Sequence, residues 1–255
     1  MSRKFAASVA TGVAMGVVLG MLLVLALGHT RPPKPAAATT QTSVTPSVIP
    51  TPTPNVEAPP STPHRPAPNP TAALAAGNKK VLFLSFDDGP DPLWTPRILQ
   101  VLAKYDAHAT FFELGGMQAA HPGLREQVLA AGNTIGNHSI THTQLTIASP
   151  ARRHHEIIDG PKSTCFRPPY GATNPTVRAD IKAAGMVQVL WDVDPRDWAR
   201  PGAQAIVHNI LTHAHNHNII LLHDGGGNRS QTVTALDKVL PLLKAQGYSF
   251  PAMDC

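Results

Sequence analysis

The stretch VLFLSFDDGP, residues 81–90, is a short apolar run that stops at two aspartates and a glycine-proline turn. An uninterrupted apolar run of this length predicts a buried strand over 81–86. Similar runs alternate with helical patterns from residue 79 onward, and such alternation predicts βαβ units around a parallel sheet. We predict strands at 81–86, 109–114, 134–137, 165–167, 186–191, 218–222 and 248–250, and helices at 95–105, 123–131, 175–184, 203–213 and 230–246.

Polar residues follow these predicted strands where each one ends. With about seven strands, a closed or nearly closed (β/α) barrel is favoured over an open sheet. In such barrels the chemistry gathers at the carboxyl ends of several strands. The residues at those ends are Asp87, Asp88, His138, Arg167, Asp197, His223 and Asp224.

A metal site is predicted by His138 and His142 together with the aspartate doublet. Their i, i+4 spacing would put both imidazoles on one face of a helical turn. Two imidazoles and one carboxylate can bind zinc and leave a coordination position open. The second aspartate would then be free to act as a base. A polar DDGP turn and a coincidental histidine pair are the alternatives, and we expect the other clusters, His154, His155, His213, His215 and His217, on solvated faces.

Three further segments carry candidate site residues. In FRPPYG, residues 166–171, Arg167 could orient a carboxylate and a backbone N–H of the turn could stabilise an oxyanion. WDVDPRDW, residues 191–198, combines acids with indoles, which suit sugar rings. IILLHDGG, residues 219–226, ends an apolar strand in a histidine that could serve as a general acid. Each segment alone could equally be an ordinary polar loop.

The N-terminal third differs in composition from the rest. Residues 5–28 carry no charge and follow Arg3 and Lys4; as a helix they rise about 36 Å, enough to cross a bilayer with the amino end inside. We therefore predict a cytoplasmic tip and signal-anchor over 1–28, with the catalytic domain outside the cell membrane; a cleaved signal peptide and secretion is the alternative. Residues 29–78 hold 13 of the 26 prolines and predict a disordered linker before a domain at 79–255.

The charge argues against a nucleic-acid partner, and the two cysteines raise the possibility of a disulfide. The net charge of +5 falls to +1 over 79–255, which holds 16 basic and 15 acidic residues, so no basic face for nucleic acid is expected. Cys165 and Cys255 lie in no C-x-x-C motif. They could pair as a disulfide in an exported domain or remain two thiols.

Taken together, the five segments resemble the polysaccharide deacetylases of the NodB-homology group, carbohydrate esterase family 4, over about residues 79–250. The resemblance implies a distorted (β/α)7 barrel and one divalent metal, usually zinc, with Co²⁺, Ni²⁺ or Mn²⁺ as alternatives. By position, Asp88, His138 and His142 match the metal ligands. Asp87 matches the catalytic base and Arg167 the residue that holds it.

The remaining roles also follow from the resemblance. His223 matches the general acid, and Asp197 the acid that orients it. The Tyr170 N–H matches the oxyanion donor, and the substrate-binding residues that match are Pro169, Tyr170, Trp198 and Leu221. Two departures are visible: Ser85 replaces the more usual threonine, and the segment between His142 and Arg167 is about ten residues shorter than usual.

The resemblance implies an N-deacetylase, and the anchor and linker point to a cell-wall glycan, above all peptidoglycan. Chitin oligomers and O-acetylated xylan are alternative substrates. A barrel that binds wall glycan without turnover is the alternative from another functional class. We expect a monomer.

Overall fold

The computed structural model describes residues 80–255. The predicted anchor at 1–28 and linker at 29–78 lie outside the described residues. Within residues 80–255, no helix combines the length and the apolar character that crossing a membrane requires. The strands are β1 (Lys80–Val81), β2 (Phe83–Asp87), β3 (Ala109–Glu113), β4 (Thr134–Asn137), β5 (Cys165–Phe166), β6 (Val187–Gln188), β7 (Ile219–His223) and β8 (Tyr248–Ser249). The helices are α1 (Trp94–Lys104), α2 (Gly115–Ala120), α3 (Leu124–Ala130), α4 (Pro150–Ile158), α5 (Pro175–Ala183), α6 (Ala203–His213) and α7 (Ser230–Ala245).

Six of the strands form one parallel sheet in the order β6-β5-β4-β3-β2-β7, while β1 pairs with β8. The register aligns Asp87, the last residue of β2, with Phe112 on one side and with His223 on the other. Because parallel strands end at the same edge, this register brings the polar ends of β2 and β7 together.

The sheet curls, because the chain beyond β6 returns to its opposite edge. Val193 forms a parallel bridge with Ile220 of β7, and the Leu221 N–H donates to the Val193 carbonyl at 2.9 Å. The parallel α/β fold is therefore confirmed. The prediction of about seven barrel strands is met in part: six are hydrogen-bonded in one curled sheet, and the predicted final strand pairs with β1 instead.

The core lies between this sheet and the helices on its outer side. Phe86 of β2 and Phe111 of β3 stack with their ring centroids 5.1 Å apart. On α1, the residues Ile98, Val101 and Leu102 are buried, at the three-to-four-residue spacing of an amphipathic helix. Burial of these apolar faces positions the strand ends that carry the polar residues.

Three local expectations are corrected. Residues His138–His142 form an irregular loop rather than a helical turn, with positive φ at Ser139 (73°) and His142 (60°). The predicted strand over 186–191 shortens to Val187–Gln188. Helices α2 and α4 were not among the five predicted helices, although Ser149 caps α4 by accepting from the Arg152 N–H and Pro150 is its first residue, both common start signals.

Cys165 of β5 and Cys255 form a disulfide with their Cα atoms 5.1 Å apart. The sequence left open a disulfide or two free thiols, and the structure has the disulfide.

Candidate active site

A cavity of about 390 Å³ opens at the carboxyl ends of the sheet strands. Its lining consists of acids, imidazoles, aromatic rings and one leucine: Asp87, Asp88, His138, His142, Tyr170, Trp191, Asp194, Trp198, Leu221 and His223. Eight of the eleven predicted site residues are in this set. Arg167 and Asp197 are fully buried behind it, and Pro169 is buried in the turn before Tyr170.

Asp88, His138 and His142 bring one ligand atom each to a common point, with these atoms all within 4.8 Å of one another. The Asp88 Oδ1 atom lies 3.3 Å from His142 Nε2 and 3.6 Å from His138 Nε2. Within residues 80–255 this buried oxygen accepts no hydrogen bond. A buried acceptor without a donor is costly unless a cation satisfies it.

The two imidazoles are held in a state suited to binding a metal. His138 Nδ1 lies 2.7 Å from the Arg167 carbonyl oxygen. Since a carbonyl only accepts, this nitrogen carries the proton and Nε2 keeps its lone pair. Burial lowers the pKa of His142, although the charge of Asp88 opposes that shift, so the neutral form is favoured. This donor set fits a divalent metal ion bound by one oxygen and two nitrogens.

Asp87 is held by a buried arginine. The Arg167 Nη1 donates to Asp87 Oδ1 at 2.7 Å and to the Ser85 hydroxyl at 2.9 Å, while Nη2 donates to the Leu190 carbonyl at 3.0 Å. Burial lowers the pKa of Arg167, and the charge of Asp87 opposes the shift. The second carboxylate oxygen, Oδ2, lies 3.6 Å from His138 Nε2, on the side of the metal ligands.

His223 is paired with a second buried acid. Its Nδ1 donates to Asp197 Oδ1 at 2.7 Å, and its backbone N–H donates to Asp197 Oδ2 at 3.0 Å. The Thr232 hydroxyl also donates to Oδ2, at 2.7 Å. Burial lowers the pKa of His223, but the hydrogen bond to Asp197 and its negative charge outweigh burial and raise the pKa above its usual value. The protonated form therefore persists to higher pH.

Aromatic side chains form the outer part of the cavity. Tyr170, 66% exposed, packs its ring 4.4 Å from the His142 ring. Its backbone φ of 62° is unusual for a residue with a Cβ and occurs in the turn Pro169–Gly171. A side chain on Gly171 would lie 2.7 Å from the Trp191 ring, so this turn packs directly on the indole.

The turns that follow β2 and β7, next to the site residues Asp88 and His223, are in close contact with each other. A Cβ on Gly89 would lie 2.2 Å from Asp224 Oδ2, and one on Gly225 would lie 2.1 Å from the Asp88 carbonyl oxygen. Asp224 is fully buried and accepts from the Thr95 hydroxyl. Burial raises the pKa of Asp224 well above its usual value.

Several residues that support or line the site were given no individual role from the sequence. Trp191 and Asp194 line the cavity, and their signal was their position among the acids and indoles of residues 191–198. Ser85 and Thr232 contact Arg167 and Asp197 through single hydroxyl groups. A lone serine or threonine carries no sequence pattern that marks such a role.

The chain is similar to known glycan deacetylases. Residues 75–189 match the family profile described as polysaccharide deacetylase. The chain is 45% identical over 183 residues to a peptidoglycan-N-acetylglucosamine deacetylase of Bacillus cereus, covering 68% of this chain and 86% of that protein. It is 38% identical over 194 residues to a chitooligosaccharide deacetylase of Bradyrhizobium, covering 68% and 88%.

Solved structures agree with the sequence comparison. The structure of the peptidoglycan deacetylase PdaC from Bacillus subtilis superposes with a TM-score of 0.63 at 37% identity. The match covers 69% of this chain and 88% of that one.

Proposed function

The chain belongs to the polysaccharide deacetylase family, and on that premise we propose that it hydrolyses N-acetyl groups of a cell-envelope glycan, with peptidoglycan as the substrate. One observation carries the proposal. The Asp87–Arg167 pair and the His223–Asp197 pair adjoin the same cavity as the three candidate ligands Asp88, His138 and His142.

A divalent metal ion, with zinc as the first choice and Co²⁺, Ni²⁺ or Mn²⁺ as alternatives, would be held by Asp88, His138 and His142. When bound, it would supply Lewis acidity toward the acetamide carbonyl and the attacking water. The donorless Asp88 Oδ1 and the protonated Nδ1 of His138 support this assignment.

Asp87 serves as the general base. Arg167 binds one of its oxygens, which leaves Oδ2 to take a proton from the water that attacks the acetamide carbon. The pairing with Arg167 also orients the carboxylate, because the guanidinium is itself held by Ser85 and Leu190.

Residues that follow other strands stabilise the oxyanion and protonate the leaving group. The Tyr170 N–H, at the positive-φ turn, stabilises the developing oxyanion. Protonated His223, oriented by Asp197, donates its Nε2 proton to the departing amine. The carbon–nitrogen bond breaks, and the products are acetate and a free amino sugar. Leu221 and Trp198 border the space for the acetyl methyl group, and Tyr170 lies beside the adjoining sugar. Pro169, predicted as a substrate-binding residue, is buried and supports the turn that carries Tyr170.

Peptidoglycan is preferred as the substrate because of the B. cereus relative and the predicted anchor and linker. On this proposal residues 1–28 keep a monomeric enzyme in the cell membrane, and the linker lets the extracytoplasmic domain reach the wall. Membrane fractionation and amino-terminal sequencing of the mature protein test anchoring against secretion. Light scattering of the purified protein tests the monomer.

Chitin oligomers are the second candidate substrate, favoured by the similarity to the Bradyrhizobium enzyme. Acetate release by the full chain should be measured on peptidoglycan fragments, N-acetylglucosamine oligomers and acetylated xylan. Activity should be highest on peptidoglycan, disappear on chelation and return with zinc. Asp87→Asn should abolish it while leaving glycan binding in calorimetry. Binding without acetate release by the wild-type protein would instead support a binding module.

A further inference from the structure

The loop His138–His142 carries two of the three candidate ligands but has no regular secondary structure. Two of its non-glycine residues, Ser139 and His142, have positive φ angles of 73° and 60°. Residues with a Cβ adopt this region at a cost, and persist there only when surrounding contacts fix them. The contacts that hold this loop therefore determine where the His142 ring lies.

The two histidines are fixed in different ways. The His138 ring is oriented by its own hydrogen bond to the Arg167 carbonyl, at 2.7 Å. For His142, the hydrogen bonds among residues 80–255 include none to its ring; its backbone N–H donates to the Ser139 hydroxyl at 3.1 Å. Metal-binding histidines usually gain their orientation from a second hydrogen bond on the ring. The position of His142 instead depends on the loop backbone.

A buried carboxylate on α4 binds that backbone. Glu156 is fully buried, and its Oε2 accepts from the N–H groups of Ile140 and Thr141 at 2.8 and 2.9 Å. Its Oε1 accepts from the hydroxyls of Thr141 and Thr143 at 2.5 and 3.0 Å. Five donors in all surround the carboxylate, because Arg152 Nη2 also lies 2.6 Å from Oε1.

We propose that Glu156 is the positioning residue of the metal centre: it fixes residues 140–143 so that His142 meets Asp88 and His138. It touches neither the substrate nor a ligand and acts through the loop alone. The inference rests on the proposed function in one respect, that these three side chains bind the metal.

The helix offers a matched control. Asp159, the residue after α4, binds exposed His155 at 2.8 Å and contacts no residue of the loop among the hydrogen bonds described. Asp159→Asn thus removes a carboxylate of the same helix without touching the loop. Glu156→Ala removes all five acceptor contacts. Glu156→Gln keeps the volume and one carbonyl oxygen, and so serves if the alanine variant does not fold.

Zinc affinity of the full chain should be measured by competition with a chromophoric chelator, alongside Co²⁺ absorption spectra. Loss of a hydrogen-bonded partner of a metal ligand typically weakens binding about 10- to 100-fold, and releasing the loop that carries His142 should have a comparable effect. We expect a loss of that size for Glu156→Ala, a smaller loss for Glu156→Gln and none for Asp159→Asn. Added zinc should restore kcat of the Glu156→Gln variant, because Asp87 and His223 are unaltered; a purely structural role would lower the melting temperature without zinc rescue.

The outcomes separate the two claims. Wild-type protein that binds none of Zn²⁺, Co²⁺, Ni²⁺ and Mn²⁺ would overturn the proposed metal centre. Wild-type protein that binds zinc, with folded Glu156 variants of equal affinity and unchanged Co²⁺ spectra, would overturn the positioning role and leave the proposed function intact.

Discussion

Arg167 Nη1 lies 2.7 Å from Asp87 Oδ1, and the guanidinium carbon lies 4.0 Å from the centroid of the Phe112 ring. The guanidinium of Arg167 is therefore fully buried, packed against the Phe112 ring and paired with the carboxylate of Asp87. Removing either partner would leave a buried charge without compensation.

Arg167→Gln should therefore impair both folding stability and activity. Breaking a buried ion pair costs about 3–5 kcal/mol, measurable by urea unfolding. Arg167→Lys should rescue little, because an ammonium group cannot reproduce the fork that binds Asp87, Ser85 and Leu190. In the double variant with Asp87→Asn, the stability losses should be less than additive. Strict additivity would mean that the two charges are not coupled.

The Asp197–His223 pair predicts a pH effect on activity. Asp197 raises the pKa of His223 against the lowering effect of burial, so the protonated acid survives to higher pH. In Asp197→Asn, burial acts without the opposing charge, and the alkaline limb of the kcat/KM profile should move to lower pH. His223→Ala should reduce kcat about 10²- to 10⁴-fold. An alkaline limb that stays in place in Asp197→Asn would contradict the assignment of His223 as the general acid.

Glu113 predicts a pH effect on stability. Burial raises its pKa from 4.5 to about 7, although the Gln118 hydrogen bond lowers it. The folded state therefore binds more protons than the unfolded state between these values, and the stability gained from the neutral carboxyl is lost as pH rises through that window. Relative to Glu113→Gln, the wild type should lose up to about 3 kcal/mol from pH 4.5 to above pH 7.

Urea unfolding of the two proteins at several pH values checks this. A pH-independent difference for Glu113→Gln would show that its carboxyl ionises normally in the folded state.

Arg196 predicts a preference for anionic glycans. Its guanidinium lies 5.0 Å from the centroid of the Trp198 ring, which borders the cavity. Peptidoglycan carries free carboxylates on its stem peptides and on lactyl groups that bear no peptide, whereas chitin is uncharged. Because an exposed ion pair contributes about 0.2–1 kcal/mol, Arg196→Gln should lower kcat/KM about 1.5- to 5-fold on peptidoglycan fragments and leave it unchanged on chitin oligomers.

Arg97 on α1 offers the comparison for this variant, since it lies over Trp94 at 5.2 Å and is not among the cavity-lining residues. Arg97→Gln should not discriminate between the two glycans. If Arg196→Gln lowers kcat/KM equally on both substrates, the Arg196 side chain supports the Trp198 indole and does not bind the substrate's carboxylates.

The strand ends could be predicted because each follows an apolar run and stops at a polar residue, as at Asp87 and His223. Which strand ends lie side by side could not be predicted, because the pairing of β2 with β7 joins segments more than 130 residues apart. Strands β5 and β6 lie inside the ranges predicted for them, 165–167 and 186–191, but have only two residues each, too few for a periodic pattern to define their bounds.

The histidine loop shows why local spacing can mislead. The i, i+4 spacing of His138 and His142 suggested a helical turn, yet positive φ angles bring the rings together instead. Those angles are stabilised by Glu156, which lies 14 residues beyond His142 in the chain and carries no motif. A buried acid of this kind becomes recognisable only once its hydrogen bonds are seen.

The contact between the turns at Gly89 and Gly225 limits how this enzyme could be redesigned. Neither position has room for a methyl group, so any attempt to retarget the catalyst to a different sugar has to leave that junction alone. The side chains of Arg196 and Trp198 face solvent and can be varied, provided that the buried Asp197 between them is kept. Variant libraries should therefore change exposed side chains such as Arg196 and Trp198, and should keep Gly89 and Gly225 unchanged.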